Sequence, residues 1–262
     1  MHKPTFKYFI SIFVICLPAF ANAQDLAISK LFVEKGVDGT VVISSLKSGQ
    51  TFIHNDTRAN QRFSPASTFK IMNTLIAVEE KAIAGKDDVF KWDGYVYNLP
   101  DWNHDQTLAS AFKVSCVWCY QELARRIGSE KYREYLKKSD YGEMLDHFET
   151  VKFWLDDSLQ INALEQVSFL KKVAQQRLPF SKAAYETLRQ IMLVEEASTY
   201  SLWAKTGWAS KPNPQVGWYI GYVETPEDVW IFALNMQIND EKELPLRQSL
   251  MKSALRAKGI IK

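Results

Sequence analysis

The feature that most constrains this chain is where its two hydrophobic periods fall. Strand-like runs lie near both ends, and the long middle reads as helix. Residues 40–44 and 51–54, separated by Lys47-Ser48-Gly49-Gln50, predict a β-hairpin. Residues 201–208, 216–223 and 229–236 are three further strand-like runs. Between about Ser64 and Met192, apolar residues recur at i, i+3 and i+4. The clearest helical segments are 68–83, 115–127 and 163–176, with two more at 25–35 and 244–257. Strands at both ends with helices between them predict one sheet built from both ends of the chain and a helical insertion.

Composition narrows the class. A hydrophobic fraction of 47% with 24% charged residues belongs to a globular chain, not a disordered or fibrous one. A net charge of +2 over 262 residues, with no Lys/Arg block, argues against a nucleic-acid partner. Residues 1–23 read as a secretory signal peptide. Lys3 and Lys7 give a positive start, residues 8–20 an apolar run too short to span a bilayer, and Ala21-Asn22-Ala23 a cleavage site. Residues 24–262 are then expected as one exported, periplasmic domain, with no membrane contact after cleavage and a net charge of zero. Cys16 follows Ile15, which is not the small residue that a lipoprotein site needs.

Several chemistries lack their motifs. The chain has no Walker loop, no GxGxxG and no GxSxG elbow. His2, His54, His104 and His147 are scattered, with no HExxH, so no metal site is expected. The three histidines after His2 read as surface or capping residues. Ser-x-x-Lys occurs at Ser44, Ser67, Ser110, Ser168 and Ser249, so the pattern alone decides nothing. Only Ser67-Thr68-Phe69-Lys70 follows Pro65-Ala66 and opens a strongly apolar helix. There i, i+3 spacing puts Lys70 one turn above Ser67. Free N–H groups at a helix start can stabilise an oxyanion. A lysine in apolar surroundings has a lowered pKa, and its neutral amine can act as a base or take up CO2 as a carbamate. The plainer reading is a capping serine beside a snorkelling lysine.

Lys205-Thr206-Gly207 lies inside a strand, where Lys and Gly are both poor formers. Gly there permits close approach of a ligand to the backbone, and Lys supplies charge for an anionic one. Ser115-Cys116-Val117 opens another predicted helix and offers a second hydroxyl, or a simple cap.

In their order and spacing, these three motifs together with Phe153-Trp154-Leu155-Asp156 resemble the class D (OXA-type) serine β-lactamases. The resemblance spans residues 24–262. It includes Phe90-Lys91-Trp92-Asp93-Gly94, Tyr120-Gln121-Glu122 and Gly217-Trp218. It implies an α/β (α+β) fold of the serine β-lactamase/penicillin-binding-protein kind. An antiparallel sheet from both chain ends would be flanked by terminal helices, with a helical lobe at roughly 64–195. It implies that Ser67 is the nucleophile, and that Lys70, carboxylated by CO2, is the general base with no other cofactor. Trp154 would hold the carbamate, and Val117 and Leu155 would keep it dry. Ser115 would relay a proton to the leaving nitrogen. Lys205, Thr206, Gly207 and Arg247 would bind the substrate carboxylate, and the backbone N–H groups of Ser67 and Trp208 would form the oxyanion hole. Trp102 and the segment 208–215 would shape the spectrum, with Lys211 either an extra cation or a solvated side chain.

The partners implied are β-lactam small molecules, for a monomer or homodimer. Two related classes share the motifs, a penicillin sensor and a peptidoglycan transpeptidase. The Ser-Asp-Asn motif of class A enzymes is absent, because Ser139-Asp140 is followed by Tyr141. Tyr141-Gly142-Glu143 departs from the family's usual Tyr-Gly-Asn, and Glu143 is left out of the site. Cys116 and Cys119 have a C-x-x-C spacing. That spacing admits a redox motif or a disulfide, and two reduced, buried thiols are the expectation here.

Overall fold

Strand β1 (Gly39–Ser45) is buried at every position, because its alternate side chains enter two different cores. Val42 packs toward the helical middle of the chain, whereas Val41 and Ile43 pack toward the terminal helices. The computed structural model, which describes residues 24–211 and 214–262, extends this division across six strands. The expected signal segment, with Cys16, lies outside the described residues. After β1 come β2 (Thr51–His54), β3 (Leu193–Glu196), β4 (Ser201–Ala209), β5 (Gln215–Glu224) and β6 (Val229–Ile238). Their order is β2-β1-β6-β5-β4-β3, and every neighbouring pair is antiparallel. Along β6, Phe232, Leu234 and Met236 face one core while Ile231 and Ala233 face the other. A sheet covered on both faces explains why these strands read as nearly continuous apolar runs.

Helices α1 (Leu26–Lys35) and α8 (Leu246–Ala257) cover one face. The other carries α2 (Lys70–Glu79), α3 (Leu108–Lys113), α4 (Val117–Ile127), α5 (Ser129–Ser139), α6 (Ala163–Ala174) and α7 (Lys182–Met192). Local capping fixes several starts. Asp25 accepts from Ile28 N at 3.1 Å, and Asn162 with Glu165 forms a capping box on α6. Helix α2 is buried from Lys70 to Val78, so it is the central element of the lobe. Among the described residues no helix is long and apolar enough to cross a membrane.

Three expectations are corrected. The predicted helix 68–83 begins as a 3-10 turn, Ala66–Phe69, and is α-helical only from Lys70 to Glu79. Strand β3 was not foreseen. It is a short edge strand with Leu193 and Val194 exposed and a register shift against β4, so it has no inward-outward alternation to read. His54 is not a surface or capping residue. It is buried, with Nδ1 3.0 Å from Ser29 Oγ and its ring against Phe32, and burial lowers its pKa. His104 and His147 are exposed.

Candidate active site

The 3-10 turn presents Ser67 at the head of α2 and passes straight into the helix at Lys70. Ala66 holds a φ of +46°, and Thr68 Oγ1 ties the turn back to Pro65 O at 2.7 Å. The turn lies against β4, and Gly207 makes that possible. A Cβ at Gly207 would stand 3.0 Å from both Pro65 O and Thr68 Cγ2. The glycine of the Lys-Thr-Gly run therefore admits the turn that carries Ser67, and not only a ligand.

Lys70 is 1% exposed. Its Nζ donates to Ser67 Oγ at 3.2 Å and lies 4.7 Å above the Tyr120 ring. Burial, with the charge of Lys205 as a lesser cause, holds the amine well below the ordinary lysine range. A neutral amine beside a serine hydroxyl is a base positioned to take its proton.

Lys205, also buried, donates to Ser115 Oγ at 2.5 Å and to Thr206 O at 3.0 Å. Burial and then Arg247 lower its pKa to about 7. Arg247 lies over Gly217 and donates to Gly207 O and Leu244 O, both at 2.6 Å, and burial pushes it down to about 10. These groups meet at a cleft of about 490 Å³. Ser67, Ser115, Val117, Leu155, Trp102, Thr206, Gly207, Trp208 and Arg247 all line it, as does exposed Lys211. Trp102 is fixed by its indole N–H to Val114 O at 3.0 Å, and Trp208 by its own to Gln215 Oε1 at 2.8 Å.

Trp154 is fully buried, stacked on Phe69 with ring centroids 5.7 Å apart. Among the described residues its Nε1–H has no hydrogen-bond partner. A buried donor left unpaired costs about 1–3 kcal/mol. Glu143 stays outside the cleft and pairs with Arg62 at 3.1 Å.

Two readings of the 115–119 segment change. Ser115 precedes α4 with φ +58°, and the N-cap is Cys116. Cys116 and Cys119 are joined in a disulfide instead of remaining two thiols, because the first helical turn brings their Cα atoms to 5.6 Å. Sequence reasoning also gave no role to Tyr120, Gln166 or Ser64. Tyr120 hydrogen-bonds Thr74 at 2.9 Å under Lys70, and Gln166 donates to Thr68 Oγ1 at 3.0 Å. Ser64 links Trp154 O to the Trp218 indole. Burial of Tyr120 and Gln166 on apolar helix faces is the only local signal.

A six-stranded antiparallel sheet with a serine-lysine pair at the head of its central helix defines the serine penicillin-binding class. The family model for the penicillin binding protein transpeptidase domain matches residues 39–256. Beta-lactamase OXA-48 of Klebsiella pneumoniae is 38% identical over 255 residues, covering 97% of this chain and 96% of its own. Beta-lactamase OXA-10 of Pseudomonas aeruginosa is 34% identical, covering 98% of each. The crystal structure of FUS-1 (OXA-85), a class D β-lactamase from Fusobacterium nucleatum subsp. polymorphum, superposes with a TM-score of 0.88 at 37% identity. That match covers 91% of this chain and all of the other. The chain belongs to the class D β-lactamases.

Proposed function

We propose that this protein hydrolyses β-lactam antibiotics through an acyl-enzyme on Ser67. The observation that carries the reading is the desolvated Lys70 amine 3.2 Å from Ser67 Oγ, at a cleft lined by Thr206 and Arg247 with Lys205 beside it. Lys205, Thr206 and Arg247 would hold the substrate carboxylate. Lys70 removes the Ser67 proton as Oγ attacks the lactam carbonyl, and the N–H groups of Ser67 and Trp208 steady the oxyanion. The C–N bond then breaks, and Ser115 passes a proton from Lys205 to the leaving nitrogen. The proton that Lys70 took from Ser67 returns to Lys205, which restores both lysines. Water next attacks the ester and gives a proton to Lys70, and Lys70 hands that proton to Ser67 Oγ as the ester C–O bond breaks.

The site fits a carboxylated lysine. Burial lowers the pKa of the amine and so favours the neutral form that reacts with CO2, and Trp154 offers a buried N–H that is unpaired among the described residues. CO2 taken up by Lys70 would supply an anionic base there. Val117 and Leu155, both half-buried at the cleft, would limit water at that group. No metal is required, and among the described residues no cluster of His, Cys, Asp and Glu suits one. We further propose export by cleavage after Ala23, giving one catalytic domain of residues 24–262 that acts in the periplasm as a monomer or homodimer.

The test is hydrolysis of a penicillin by purified protein in bicarbonate buffer. Turnover is expected, and Ser67→Ala should lower it by roughly 10⁴-fold or more. A stable acyl-adduct by intact mass without turnover would replace this reading with that of a penicillin sensor.

A further inference from the structure

The disulfide Cys116–Cys119 follows Ser115 directly, and both sulfur-bearing side chains are fully buried. It closes the first turn of α4. Cys116 is the N-cap, and its Sγ stands 3.2 Å from Cys119 N, where Ser, Thr, Asp or Asn would ordinarily offer an oxygen. Sulfur is a weak acceptor. The cap of this helix is therefore covalent.

Directly before this cap stands Ser115. Its φ of +58° is disfavoured for any residue with a Cβ and persists only where the surroundings enforce it. On its upstream side the end of α3 supplies a paired backbone cap in which Ser115 is the left-handed residue, and on its downstream side it runs directly into the bridged turn. Ser115 N donates to Phe112 O at 3.3 Å, at the end of the six-residue helix α3. Cys116 N donates to Ala111 O at 2.9 Å. Among the described residues, the Ser115 hydroxyl has one hydrogen-bond partner, Lys205 Nζ. If the first turn of α4 frays, Ser115 can relax out of the left-handed region and its hydroxyl leaves Lys205.

We propose that the Cys116–Cys119 disulfide is a positioning element of the active site, holding Ser115 in its left-handed conformation so that its hydroxyl stays on Lys205. The proposal rests on the proton-relay role given to Ser115 above. In this arrangement the cysteines touch no substrate. They act through Ser115, and their effect falls on kcat more than on KM.

The experiment is a double-mutant cycle on residues 24–262, reading kcat and KM for a penicillin in bicarbonate buffer. Cys116→Ala with Cys119→Ala should lower kcat about tenfold and leave KM within about threefold. Ser115→Ala should cost about a hundredfold in the bridged enzyme, but less than about tenfold without the bridge. If removing the bridge leaves kcat within about twofold, the proposal is wrong. It is equally wrong if the Ser115→Ala factor is the same in both backgrounds. An unchanged kcat for Ser115→Ala in the bridged enzyme would instead remove the relay role, and the proposal with it. Cys116→Ser with Cys119→Ala keeps a capping oxygen, and the cycle is read on it if the alanine pair does not fold. Full kcat in that serine variant would show that any cap suffices and would overturn the need for the bridge.

Discussion

The two faces of the sheet are built to different rules. Under α1 and α8 the core is Ile28, Phe32, Leu250, Met251, Leu255 and the strand residues facing them, and none of these leaves a buried polar atom unpaired. On the lobe side, Lys70 lies at the heart of the core, and among the described residues Asn73 Nδ2, Ser139 Oγ and Trp154 Nε1 are buried without partners. Burying an amine beside a second lysine opposes folding, because desolvation disfavours the charge and no carboxylate offsets it. The same low-dielectric surroundings make that amine a base. Both faces bury apolar cores that supply stability, and the lobe face also holds groups whose environment costs stability and serves the reaction.

That contrast can be broken by substitution, beginning with the largest effect on turnover. Lys70→Met should lower kcat by roughly 10²–10⁴-fold and raise the melting temperature, since a methionine of similar volume needs no solvation. A variant that loses both activity and stability would show that Lys70 is a structural asset. Trp154→Phe should cost roughly 10²-fold in kcat, with part of the loss restored by excess bicarbonate, and leave the melting temperature nearly unchanged. A loss that bicarbonate leaves untouched would separate Trp154 from the carbamate.

The effect of pH should be smaller. Lys205, at about 7 in the free protein, is cationic below that pH and neutral above it. Capture of a carboxylate therefore weakens as pH rises, and kcat/KM should fall roughly tenfold between pH 7 and 9. Lys205→Arg should flatten that limb, because guanidinium does not titrate there. Stability moves the other way. The unfolded chain binds more protons than the folded one between about 7 and the ordinary lysine value of 10.5, so this group makes the fold more stable as pH rises through that window. A steady kcat/KM across the range would show that Arg247 alone holds the substrate.

On the opposite face, Leu255→Ala should destabilise by about 2–5 kcal/mol and lower the melting temperature by roughly 5–15 °C. The kcat per folded molecule should stay the same. A change in kcat there would mean that the two cores are coupled through the sheet.

Much of this was legible in the chain because it is local. Asp25, Asn162 and Ser181 cap the helices they precede, and Gly49 turns the hairpin with a φ of +75°. Most predicted cleft residues do meet at one cleft, since family motifs preserve spacing that the fold then closes. Lys70, Lys205 and Trp154 are buried beside it. The edge strand β3 was not legible. Its pairing with β4 depends on a neighbour only the folded sheet supplies. The bridge at Cys116 was not legible either, because the same spacing serves thiols, metals and disulfides alike.

The sequence by itself determined the kinds and order of the long elements, the edge strand β3 apart, and the one-turn offset of Ser67 from Lys70, because period and capping act within a few residues. Only the tertiary structure decided that Lys70 is dry, that Gly207 admits the Ser67 turn, and that Ser115 is held left-handed on Lys205. Desolvation and close approach are set by segments distant in the chain, so no local pattern contains them.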